Sequence, residues 1–162
     1  MISKSTMAKI KSKSGLTLVE ILIVIAVLAI LTAVVAVPFS SFREAQAVNS
    51  SAALLVSFLK DARSAAVSSK GSSQYGVHFE TARAVSFKGV AWSEPSPDNR
   101  EIPLDSTVSI SLISLAGGGS DVLFEQLTGE TSQYGTIEVS SKANPSKKKV
   151  ITILQSGVAS HY

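Results

Sequence analysis

Three hydrophobic periodicities follow one another along the chain. From Leu16 to Val37 the sequence LTLVEILIVIAVLAILTAVVAV is apolar at nearly every position and carries a single charge. At about 1.5 Å per residue this run reaches roughly 33 Å as a helix, close to the ~30 Å hydrocarbon thickness of a bilayer, so residues 16–37 predict a transmembrane helix. Past Pro38 the apolar positions thin to Ala45, Val48, Ala52, Leu55, Leu59, Ala62 and Ala66, three and four residues apart in alternation, with Ser57, Lys60, Asp61 and Ser64 on the opposite side. Residues 38–70 therefore predict an amphipathic continuation of the helix. It should stop at Lys70-Gly71, where a lysine in the last turn and a following glycine form a C-terminal signal. Pro38 itself predicts a kink, because its ring removes one helical hydrogen bond and crowds the carbonyl of Val34.

After Gly71 the period falls to two. Tyr75, Val77 and Phe79 alternate with Gly76 and His78, and Ala84 to Lys88 answer them across a turn at Thr81-Ala82, which predicts a hairpin. Further strands are expected over 107–115, 122–127, 136–140 and 150–154. Turn signals separate them at residues 93–99, 117–120 and 143–146. One long helix followed by short strands gives an α+β fold in which an antiparallel β-sheet in residues 71–162 covers the helix's apolar stripe.

Charge sharpens the membrane reading. The formal net charge of +3 over 162 residues is concentrated at the start. Lys4, Lys9, Lys11 and Lys13 precede the apolar run, and without residues 1–15 eleven basic side chains face twelve acidic ones, a net of −1. The lysines thus act as a topology signal that keeps the N-terminus cytoplasmic and sends the C-terminal domain outward. The chain has no cysteine, which excludes disulfides, thiolate metal sites and cysteine nucleophiles. An ordinary secretory signal, with cleavage after Val34-Val35-Ala36, fits poorly, because its apolar core is usually about 7 to 15 residues. A plain anchor leaves Glu20 unexplained, since a charge within a membrane helix costs on the order of 2.5–3.5 kcal/mol on insertion scales.

Lys13-Ser14-Gly15 followed by Leu16-Thr17-Leu18-Val19-Glu20 and the unbroken apolar helix resembles the N-terminal signal of the type IV pilin and type II secretion pseudopilin family. The resemblance implies that residues 1–15 are a basic leader removed by a prepilin peptidase after Gly15, and that the new amino terminus at Leu16 is N-methylated. It also implies that Glu20, fifth in the mature chain, pairs with the amino terminus of a neighbouring subunit. The physics agrees: an ammonium and a carboxylate that are each costly in hydrocarbon offset much of that cost by meeting. Two positions depart from the family pattern: Leu16 stands where phenylalanine is commonest, and Pro38 falls one residue later than the usual proline. The segments QYGVHFE, VLFEQLTGET and ITILQSGV look like the β-domain of the GspH/FimT-like branch of minor pilins and pseudopilins. The family implies a pilin-like fold, and as partners a prepilin peptidase, other pilin or pseudopilin subunits, membrane lipid and the inner-membrane assembly machinery. It implies no cofactor and no enzymatic activity.

Catalytic and metal chemistry find little support in the residues. His78 lies on a predicted strand, where a histidine is most often structural, and His161 is expected to fray beside the last residue. Asp98, Asn99, Glu101 and Asp105 offer oxygen ligands, but their spacing does not match an EF-hand, and a solvated acidic loop is the plainer reading. Lys147, Lys148 and Lys149 read as a solvated strand entrance able to make a weak phosphate contact. Two rival functions follow: a DNA-binding minor pilin of an uptake machine, which calls for a cationic, arginine-bearing surface, and a membrane-anchored domain that never polymerises.

Overall fold

The computed structural model describes residues 15–162, the side chains of residues 34–38 excepted. The expected leader therefore lies outside the described residues except for Gly15, and so does the Pro38 side chain on which the expected kink rests. The chain divides into two units, residues 1–39 and 40–162. The helix α1, Leu18–Val67, contributes to both. In the first unit every residue from Gly15 to Ala33 is exposed. Among the described residues no helix is long and apolar enough to cross a membrane. The expected span over 16–37 runs on into residues 34–37, whose side chains lie outside the described ones.

The second unit contains its own core. The upper part of α1 buries Val48, Ala52, Leu55, Leu59, Ala62 and Ala66, and Ala45 is half-buried, which is the stripe its spacing calls for. The helix stops at Val67, earlier than Lys70, and a 3-10 turn over Lys70–Ser72 follows. The early stop has a tertiary cause. The Ala66 carbonyl accepts hydrogen bonds from the Ser69 and Leu127 amides, so a distant loop caps the helix before its own lysine and glycine do.

Eight strands follow: β1 Tyr75–Phe79, β2 Arg83–Lys88, β3 Arg100–Pro103, β4 Val108–Leu115, β5 Asp121–Phe124, β6 Gly135–Ser141, β7 Lys148–Ile153 and β8 Ala159–His161. They form two antiparallel sheets, ordered β3-β2-β1-β5 and β4-β6-β7-β8. The expected hairpin is β1–β2, with Val77 opposite Ser86. Val77, Phe79, Ala84, Val122 and Phe124 of the first sheet join Ile137, Val139, Ile151 and Ile153 of the second and the helix stripe in one core. Two strands were not expected. β3 pairs with β2, and β8 pairs His161 with Ile151, so His161 lies in a strand instead of fraying.

β4 shows why simple alternation misleads. Val108 and Ile110 point inward, the pairing with β6 then shifts between Ile110 and Leu112, and Ile113 and Leu115 face the core while Leu112 is left 57% exposed. A bulge at Ser111 joins two apolar runs of opposite phase. Ser111 Oγ donates to the Glu138 carbonyl and carboxylate across it.

Candidate functional site

The Gly15–Glu20 stretch is built by a helix start. Gly15, Leu16 and Thr17 are non-helical, and α1 begins at Leu18. Thr17 Oγ1 accepts the Glu20 amide at 3.2 Å, so Thr17 occupies the N-cap and Glu20 the third helical position. A threonine with a glutamate three residues later is the capping-box pattern, a signal written in Thr17-Leu18-Val19-Glu20 that hydrophobic periodicity does not report. Leu16 is 72% exposed, a Cβ added to Gly15 would meet nothing within 4 Å, and Glu20 is the acid of the first turn. The arrangement offers a non-helical, uncrowded peptide at Gly15-Leu16, then a carboxylate on an apolar helix. It presents no acid–base or nucleophilic pair.

The basic run lies elsewhere, where the turn between β6 and β7 meets α1. Lys147 Nζ donates to the Ser41 carbonyl and hydroxyl at 2.6 Å each and to Glu44 at 3.2 Å. Lys148 Nζ reaches Glu138 at 2.8 Å, and Lys149 is half-buried opposite Val139. Lys148, then Ser111, hold the Glu138 carboxyl below its ordinary value. The run is therefore partly internally compensated. Beside it a cleft of about 340 Å³ is lined by Ser40, Arg43, Glu44, Ala47, Asp105 and Thr107.

The acidic residues that offer oxygen ligands are held apart by separate partners. Asp105 Oδ1 accepts from the Thr107 hydroxyl and amide at 2.6 and 2.8 Å, which lowers its pKa. Asn99 donates to the Ser93 carbonyl, and Glu101 pairs with Arg83 at 2.7 Å. Among the described residues no group of three metal-ligating side chains is assembled.

Two further clusters carry no motif in the sequence. On the outer face of the first sheet His78 Nδ1 meets Asp121 Oδ1 at 2.5 Å, and the Trp92 ring stacks on the imidazole with centroids 3.8 Å apart. Close by, Arg83 binds Glu80, Glu94 and Glu101; its hydrogen bonds hold the Glu80 carboxyl low, and Glu80 heads the acids that keep the guanidinium protonated. Together these contacts fasten the 89–99 loop to β1 and β2. At the end of α1, Arg63 Nε donates to the carbonyls of Gly129 and Ser156, both at 3.1 Å, binding two loops to the helix.

Residues 10–36 match the family model described as the prokaryotic N-terminal methylation motif. The fold is similar to the crystal structure of the type IV minor pilin FimU of Pseudomonas aeruginosa (strain PAO1), with a TM-score of 0.55 and 17% sequence identity; the match covers 70% of this chain and 91% of that chain. Among curated proteins none matches the chain.

Proposed function

We propose that this chain, which joins the prokaryotic N-terminal methylation motif to the fold of a type IV minor pilin, is a non-enzymatic structural subunit, a minor pilin or pseudopilin, of a type IV pilus or a related secretion filament. A prepilin peptidase cuts after Gly15, Leu16 becomes the N-methylated amino terminus, and the subunit waits as a single-pass protein of the cytoplasmic membrane with its β-domain outside. The assembly machinery then moves it into a filament. The observation that carries the reading is the placement of Glu20 in the first turn of an exposed apolar helix that begins just past a non-helical Gly15-Leu16 peptide. A plain anchor has no use for that acid. A filament subunit uses it as the partner of a neighbour's ammonium, and the pairing sets the stagger between helices.

The test compares Glu20→Gln with the parent in cells that assemble filaments. The variant keeps size and loses charge, so the expected outcome is a normal membrane level, a normal mature terminus at Leu16, and little or no variant in sheared filaments. Entry into filaments at the parent level would remove the pairing role. Mass spectrometry of the parent's membrane form checks processing separately: it should begin at Leu16, and Gly15→Val should accumulate as precursor. A mature chain beginning at Val37 would replace this reading with ordinary signal cleavage.

A further inference from the structure

We propose that the turn between β6 and β7, with the adjoining residues of α1, is a docking surface for the anionic phospholipid headgroups of the membrane in which the subunit is anchored. The proposal rests on the membrane anchoring inferred above. It starts from one contact: Lys147 ties the turn to Ser41 and Glu44. Ser41 follows Val37, the end of the apolar run, by four residues. Even a fully extended chain of that length reaches no more than about 14 Å, so the turn is tethered within roughly two headgroup-layer depths of the apolar boundary whatever the path of residues 38–40.

The surface so tethered has the right charge. The loop before β4 closes on the same turn, because Lys142 donates its amide to the Thr107 carbonyl and its ammonium to the Ser106 carbonyl. Arg43 and Lys142 both lie within electrostatic reach of Asp105. On the helix side Arg43, Lys142, Lys147 and Lys149 thus stand against two acids, Glu44 and Asp105, and leave an excess of two positive charges in a domain that is otherwise acidic, while Lys148 and Glu138 pair on the other face of the same sheet. Phe42, 66% exposed, stands beside Arg43 with no core role. A cationic rim with a protruding aromatic ring suits the boundary between phosphate and acyl chain. Lys147 and Lys148 hold the turn in shape through Glu44 and Glu138, while Lys142 and Lys149 make no ion pair at contact distance among the described residues. Duplex DNA is less well matched, since the rim has one arginine and two of its lysines are already paired.

Full-length protein in nanodiscs of phosphatidylcholine alone, or of phosphatidylcholine mixed with phosphatidylglycerol, is exposed to an amine-acylating reagent, and modification of each lysine is followed by mass spectrometry. In the anionic discs Lys142, Lys148 and Lys149 should react more slowly by a factor on the order of five, the scale of a single lysine at an anionic surface. Lys60, Lys70 and Lys88 serve as internal controls and should not change. High salt should erase the difference. Lys142→Gln together with Lys149→Gln should speed modification of Lys148 in the anionic discs towards its rate in neutral ones. Equal rates in the two compositions, in a chain that stays in the disc on alkaline washing, overturn the headgroup surface and leave the anchor standing. A chain that washes out overturns both. Protection by duplex DNA in neutral discs as strong as that by anionic lipid reassigns the surface to nucleic acid and overturns the proposal.

Discussion

Arg63 shows how much one side chain decides in this domain. Its Nε feeds the Gly129 and Ser156 carbonyls, and the space beside them is so close that a side chain at Gly157, where φ is +76°, would strike the Gly129 carbonyl. Arg63→Ala strands the Gly129 carbonyl and yields the exposed Ser156 carbonyl to water, and should lower unfolding free energy by about 1–3 kcal/mol. Denaturant titration of the domain checks this, with Lys60→Ala as a control expected near zero. Trp92 should behave in the opposite sense to intuition. Its indole Nε1 is buried with no hydrogen-bond partner. Trp92→Phe keeps the stack on His78 and removes the stranded N–H, so stability should hold or rise by up to about 1 kcal/mol. Trp92→Ala should instead open the 89–99 loop to protease while the core resists.

At the scale of elements, the two sheets depend on pH through carboxylates held by cations and hydroxyls. Glu80, Asp105 and Glu138 all have folded pKa values below the ordinary carboxylate range. Their contribution is therefore complete above that range, near 4, and is lost as pH falls through the lowered values. Thermal unfolding should accordingly show a falling midpoint on acidification. Arg83→Gln should flatten that fall, because Glu80 then titrates at a nearly ordinary value. An unchanged slope would mean that the Arg83 cluster does not couple to folding. The helix face gives a larger effect: Leu59 is fully buried between helix and sheets, and Leu59→Ala should cost about 2–5 kcal/mol, read from chemical denaturation.

At the scale of the whole molecule, the core runs from Val48 to Ala159 and lies entirely within residues 40–162. A chain starting at Ser40 should therefore fold as a soluble domain with a cooperative transition, whereas the full chain, with residues 16–33 apolar and exposed, should require lipid or detergent. A truncated domain that melts without cooperativity would show that the N-terminal half of α1 is part of the fold and not only its anchor.

Sequence alone determined what depends on periodicity and local chemistry. The apolar run, the acid within it, the helical stripe from Val48 to Ala66 and the β1–β2 hairpin are each written in residues a few positions apart, and local spacing sets which way those side chains point. The capping pair Thr17 and Glu20 was legible by the same rule. Tertiary structure alone decided what depends on partners far away in the chain. β3, Arg100–Pro103, has little alternation of its own and becomes an edge strand because β2 offers it a free ladder and Arg83 offers Glu101 a charge. β8 exists because β7 leaves an edge beside the last residues. The two phases of β4 require a bulge whose place is fixed by β6, and α1 ends where Leu127 caps it rather than where its own glycine would. The division of eight strands into two sheets follows the same cause. A helix with apolar residues over a wide arc, including Val56 and Phe58 beyond the expected stripe, needs more than one sheet to cover it. No local pattern can state that requirement.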